Sequence, residues 1–272
     1  MRCRRVDEWS TGIEAEMPLR ASIGQQCARS ITLTSMFDRV LLFIALLVAS
    51  AGSLAQTPSL EPQTKNPGLP IVTFDFVLDG ATPPHYSIAV EPDGKATYRG
   101  DAAPRDGSVP MPPSNQQFTV SEPTRKQIFD LTTLLKCFKG DFEYHGSQRV
   151  ANMGSKTLKC TYPGRDSQTT YNYSTNQQLQ QLTTIFQNMG NTLQFGQRLQ
   201  YLHRYDKLGM EAELKSMEEA EKNKRLAELQ AVAPQLQQIV DDSAIMNVSR
   251  RRAEHLLQRI KADPAARAAA PQ

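Results

Sequence analysis

A chain of 272 residues, 39% hydrophobic and 22% charged, is long enough for one or two domains and can bury a core. Its formal charge is +3, and setting aside the first 55 residues leaves 25 basic against 23 acidic side chains, mixed together along the C-terminal half. That excludes the basic stripe with interleaved aromatics by which a nucleic-acid binder neutralises phosphates, so no nucleic-acid partner is expected.

Val40 to Ala49 are ten consecutive apolar residues, preceded by Arg39 and followed by Ser53-Leu54-Ala55 ahead of Gln56. This is the pattern of an export signal with a small-x-small cleavage site. A helix from Val40 to Ala55 would rise about 24 Å, short of the roughly 30 Å hydrocarbon core. Residues 36–55 therefore read as a cleavable signal peptide, with the mature protein beginning near Gln56 in the periplasm or outside the cell. The alternative is a single-pass anchor through residues 40–55. Met36-Phe-Asp-Arg39 supplies a suitable positive start, so Met36 is the expected first residue. Residues 1–35 are then a mis-assigned upstream segment, or else a disordered tail on an anchored protein.

Residues 56–68, rich in Pro, Gln, Ser and Thr, read as a disordered linker. Thr73 to Asp79 alternates, with Phe74, Phe76 and Leu78 on one face of a strand. His85 to Glu91 repeats the alternation, and Pro92-Asp93-Gly94 supplies turn chemistry before Lys95 to Arg99, which predicts a β-hairpin. Gly100 to Gln117 is Pro-rich and reads as a long exposed loop, followed by a short strand at Phe118–Val120. Ser121-Glu122-Pro123 opens a helix capped by Ser121 and running to about Phe138, with Ile128, Leu131, Leu135 and Phe138 as its apolar stripe and Gly140 as its stop.

Thr157 to Tyr162 and Gln168 to Tyr173 flank Pro163-Gly164 as a second hairpin, and Ser174 or Thr175 caps a helix with Leu179, Leu182, Phe186, Met189 and Leu193 on one face. Hairpin and Ser-capped helix occur twice, a pattern consistent with a degenerate ββα duplication. Beyond this the chain reads as helical, punctuated by Gly190, Gly209 and Pro234. Glu211 with Lys215, Glu218 with Lys222 and Glu221 with Arg225 stand at the i, i+4 spacing of helical ion pairs. The last helix, about Val248 to Lys261, buries Leu256, Leu257 and Ile260, and residues 263–272 form a disordered tail. The expected architecture is α+β: an antiparallel sheet of two hairpins and an edge strand with packed helices over residues 69–190, then an all-helical extension over 191–262.

No catalytic, metal-binding or cofactor-binding constellation emerges. His85, His145, His203 and His255 lack metal-ligand spacing from one another or from Cys. Asp75 and Asp79 share a strand face but stand about 13 Å apart at roughly 3.3 Å per residue, beyond the reach of an acid/base pair. Cys160 alternates inward with Leu158 and Tyr162, as a structural cysteine does, although a nucleophile served by His85 or His145 is conceivable from sequence. In an oxidising compartment Cys137 and Cys160 either form a bridge closing a loop of about 24 residues or stay as two buried thiols. Tyr162, Tyr171 and Tyr173, gathered on the second hairpin, are either cross-strand packing or a recognition surface. Arg250-Arg251-Arg252 is either a solvated helix end or a docking site.

The segments Pro84 to Gly94, Ser121 to Phe138 and Gly154 to Leu158, with Tyr171-Asn-Tyr173, resemble a family of uncharacterised exported bacterial proteins over about residues 70–262. The first half also resembles small secreted modules of the emfourin type, sharing Pro84-x-Tyr86-x-Ile88 and Asp93-Gly94 ahead of a helix. That resemblance implies a protease-inhibitor-like module, with the Pro-rich stretch Ala102 to Pro113 as its projecting loop, but no inhibitory residue of that family can be placed here. The expected function is non-catalytic binding or structural work outside the cytoplasm, with an unknown protein partner and no cofactor. The alternatives are an inhibitor-like module and an envelope enzyme.

Overall fold

Six antiparallel strands form one sheet in the order β4-β3-β2-β1-β5-β6. The computed structural model describes residues 68–102 and 111–263, all of which lie within one compact unit. The expected signal peptide, the upstream segment, most of the linker, the tip of the Pro-rich loop and nearly all of the C-terminal tail lie outside the described residues. The strands are β1 (Ile71–Val77), β2 (His85–Val90), β3 (Lys95–Gly100), β4 (Ser114–Thr119), β5 (Ser155–Tyr162) and β6 (Arg165–Tyr171). Both predicted hairpins are present, with β1 between them, pairing Phe74 to Ile88 on one side and to Leu158 on the other. The strand before the first helix spans the whole of β4 rather than three residues and forms one sheet edge.

Period-two alternation gives the sheet two unlike faces. Val72, Phe74, Tyr86, Ile88, Val90, Tyr98, Leu158, Cys160 and Tyr171 are buried on the inner face. The outer face carries Thr73, Asp75, Ser87, Thr97, Arg99 and Lys159, half-buried or exposed, and no described helix packs against it. The inner face is covered by α1 (Glu122–Leu134) and by the first half of α2 (Gln177–Tyr205), whose apolar stripes interlock with it in a single core.

α2 runs on unbroken through residue 190, so Gly190 does not punctuate it. A Cβ there would stand 2.8 Å from the Tyr86 ring; the glycine serves close approach of the helix to the sheet. The second half of α2 joins α3 (Met210–Lys222), α4 (Ala233–Asp241) and α5 (Asn247–Ala262) around a second core that includes Leu199, Leu214, Met217, Leu236 and Leu256. The predicted boundary between sheet domain and helical extension therefore falls inside one continuous helix.

Three local expectations are corrected. The helix α1 ends at Leu134, and the next turn, Lys136–Phe138, is left-handed, with φ of 50°, 57° and 61°. Ser121 makes no side-chain cap to its own helix; its N–H and Oγ instead donate to the Glu228 carboxylate, each at 2.8 Å. The true cap of α2 is Asn176, whose side chain accepts from the Leu179 N–H.

The i, i+4 pairs of α3 are replaced by pairs between helices. Glu211 and Glu218 both hold Arg252 of α5, and Glu221 holds Arg259. α3 packs directly on α5, which sets these partners closer than its own turns do. Arg252, one of the three consecutive arginines, is thus a structural cation at this seam.

Candidate functional site

Where β1 ends, residues 78–84 reverse the chain into β2, and the inward-facing Phe76 and Tyr86 are left side by side with ring centroids 5.3 Å apart. Opposite them, α2 presents Gln187, Asn191 and Gln194, an i, i+4, i+7 stripe of amides beside its apolar stripe, with Asn188 next to it. Arg225, from the segment joining α3 to α4, completes the wall. Together with Ala81, Thr82 and Pro83 these residues line a cleft of about 410 Å³, within the size range of small-ligand pockets.

The cleft is held rigidly on its α2 side. Asn188 Nδ2 donates to the Lys224 carbonyl at 3.1 Å, and Asn191 Nδ2 donates to the Arg225 carbonyl at 3.3 Å. Thr192 Oγ1 donates to the Ala227 carbonyl at 2.7 Å, and Glu228 then reaches the start of α1. The segment 224–228 is therefore a strap fastened by side chains of α2 and, through its own Glu228, to the residue ahead of α1. Both asparagines spend amide hydrogens on the strap, leaving their carbonyl oxygens as acceptors. No carboxylate among the described residues pairs with the exposed Arg225 guanidinium. Burial pushes the Tyr86 hydroxyl well above the ordinary phenol range, and neighbouring Tyr98 adds to the shift, so the cleft holds this group as a neutral phenol. The lining contains no His, Cys, Asp or Glu, so it offers hydrogen bonds, one fixed positive charge and aromatic faces.

The residues singled out from sequence are dispersed. Cys137 and Cys160 are joined, their Cα atoms 5.6 Å apart, so Cys160 is not a free thiol. Tyr171 is buried, with its hydroxyl bonded to Thr183 Oγ1, and burial pushes it up to about 12. Tyr173 is half-buried, edge-on to Tyr144 at 5.7 Å. Tyr162 lies at the other end of the hairpin, six residues along β5 from the partner of Tyr171, a separation of about 20 Å. The three tyrosines do not converge on one patch.

His85 stands on the open sheet face, with Nδ1 at 3.2 Å from Asp101 and Nε2 at 3.7 Å from Asp75. Asp79 lies beyond the end of β1. His145 pairs with Asp141, and His203 with Asp242, whose carboxyl is held below its usual range chiefly by Lys207. Among the described residues no group of three or more His, Cys, Asp and Glu could hold a metal ion, and no helix is long and apolar enough to cross a membrane.

Sequence reasoning missed the cleft because amides on a helix read as a solvent face. The signal was present in the i, i+4, i+7 spacing of Gln187, Asn191 and Gln194 immediately beside the core stripe. Lys156 was similarly legible, since it alternates inward with Leu158 and Cys160. It is buried and donates to the carbonyls of Met153, Gly154 and Asn172, at 3.1, 2.8 and 2.8 Å. Desolvation lowers its pKa, partly countered by Glu143, and its three donors are all engaged in pinning the loop ahead of β5.

No known family matches the chain, and neither a curated protein nor a solved structure does so.

Proposed function

We propose that this is an exported, non-catalytic binding protein that receives a small polar ligand in the cleft between the β1–β2 connection and α2. The observation that carries the reading is the composition of that cleft: four amides, two of them tethered to the strap before any ligand arrives, two aromatic rings and one unpaired guanidinium, with no His, Cys, Asp or Glu beside them. A site of this kind orients a ligand that carries a negative or carbonyl group and several hydroxyl or amide groups. The export pattern at Val40 to Ala55 and the Cys137–Cys160 bridge both suit delivery to an oxidising compartment outside the cytoplasm.

The test is amide NMR of the protein expressed from its full reading frame and purified from the envelope, titrated with the small-molecule fraction of that envelope. Shifts at Phe76, Asn188, Asn191 and Arg225, lost in Arg225→Gln, are the expected result. Chemical turnover of an added compound would replace this reading with an enzymatic one, and the absence of shifts at these cleft residues would overturn it. N-terminal sequencing of the same sample should begin at or near Gln56; a product that keeps residues 40–55 would mean an anchored protein.

A further inference from the structure

We propose that the pocket beside the Cys137–Cys160 bridge is a second binding site, for a tetrahedral oxyanion such as a phosphate or sulfate group, and that the disulfide assembles it. The turn after α1 places Lys136, Cys137 and Phe138 in succession in the left-handed region, which residues with a Cβ rarely occupy even singly. Three attachments hold them there. Cys137 is bonded to the fully buried Cys160 of β5, Ser167 Oγ of β6 donates to the Cys137 carbonyl, and Phe138 is sunk in the core.

This geometry brings Lys136 and Lys139 to a pocket of about 220 Å³ that is also lined by Tyr162 and Arg165 at the β5–β6 turn. The Arg165 guanidinium lies 5.0 Å from the Tyr162 ring centroid, an interaction that orients it. The volume is several times the roughly 30 Å³ that one water occupies in the liquid, enough for an oxyanion with part of its hydration shell.

Charge makes the case more specific. Lys95, Lys126, Lys159, Arg198, Lys207, Arg252 and Arg259 each hold a carboxylate. Lys136, Lys139 and Arg165 pair with none among the described residues, and no Asp or Glu lines their pocket. The hydroxyls of Thr132, Thr133 and Ser167 donate to backbone carbonyls, so the free donors are the three cations and the Tyr162 hydroxyl. Three like charges gathered without a counter-charge repel one another, and a phosphate or sulfate group relieves that repulsion through charge-assisted bonds. The site is independent of the amide-lined cleft, because the two share no lining residue.

The experiment is amide NMR of the oxidised protein, made from its full reading frame, at fixed ionic strength. It is titrated separately with inorganic phosphate, inorganic sulfate, and vesicles of phosphatidylglycerol or phosphatidylcholine. Saturable shifts at residues 136–139 and 162–167 are expected, with Arg165→Gln weakening binding about tenfold. The triple variant Lys136→Gln/Lys139→Gln/Arg165→Gln should abolish it. Response to free phosphate or sulfate but not to vesicles supports the proposal with a small anion as ligand; response to phosphatidylglycerol but not phosphatidylcholine supports it with a lipid headgroup. Cys137→Ser/Cys160→Ser should lose binding while keeping its far-ultraviolet circular dichroism, and wild-type binding in that variant would overturn the role of the bridge. If that variant does not fold, Arg165→Gln and the triple variant still decide, since those side chains are exposed. Silence of these amides toward every probe, or equal binding by the triple variant, overturns the site.

Discussion

The first half of α2 lies under the sheet among aromatic side chains, whereas its second half lies among the leucines and methionines of α3 to α5. Phe74, Tyr86, Tyr98, Phe129, Phe138, Tyr171 and Phe186 are buried in the sheet core, which is also closed by the Cys137–Cys160 bridge. The helical core buries no aromatic ring fully and has no bridge; its outer seam is joined by ion pairs from α3 to α5. Flat rings and a covalent tie suit a wide sheet surface that two helices must cover, while flexible Leu and Met fill the narrower gaps between helices. The candidate cleft and the proposed anion pocket both belong to the sheet half. The helical half supplies Arg225 to the cleft through the strap, and α2 is the continuous beam between the halves.

The largest expected effect comes from cutting that beam at its most buried aromatic. Phe186 is fully buried and stacks on Phe74 with centroids 5.3 Å apart. Phe186→Ala should cost about 3–5 kcal/mol, measured by chemical denaturation. Because α2 runs through both cores, tyrosine fluorescence and helical circular dichroism should report one coincident transition. Two separated transitions would show that the halves are held independently.

A smaller effect tests the strap. Glu228 is buried, adopts a left-handed φ of 58°, and accepts from both the N–H and the Oγ of Ser121, with Gln230 as a third donor. Glu228→Ala leaves the buried Ser121 N–H without its acceptor and Ser121 Oγ with only Thr124 Oγ1, at a cost of about 2 kcal/mol. Glu228→Gln keeps one acceptor oxygen and should lose less. Amide exchange should accelerate at the first turn of α1 and at residues 224–228; exchange unchanged there would mean that α2 alone holds the strap.

Much of the sheet half was legible because its determinants are local. Alternation in Thr73 to Asp79 and His85 to Glu91, the Pro92-Asp93-Gly94 turn, and the apolar stripes of α1 and α2 each follow from neighbouring residues. What escaped depends on partners far along the chain. The early end of α1 is set by a bridge to β5 and a bond from β6. Ser121 is held not by its own helix but by a carboxylate 107 residues away. Gly190 looked like a break because its reason, the Tyr86 ring, comes from another element. The cleft was hidden for the same cause: its amides lie on one helix, its rings on two strands and its arginine on a strap.

The smallest effect concerns the ion pairs, and it separates visible contacts from stabilising ones. Arg252 meets Glu211 at 3.2 Å and Glu218 more closely, and the Glu218 carboxylate raises its pKa. The pairs are only partly buried, so water and ions screen them, and holding long side chains in place costs entropy. Arg252→Gln should therefore lose less than about 1 kcal/mol at low salt. The loss should fade in about 1 M salt, where the screening length falls to about 3 Å. Leu256, almost fully buried on the same helix, sets the contrast, since truncating such a leucine costs about 2–5 kcal/mol regardless of salt. A salt-independent cost for Arg252→Gln comparable to that of Leu256→Ala would mean that the α3–α5 seam is locked by charge, and that the helical half is held as specifically as the disulfide-closed sheet.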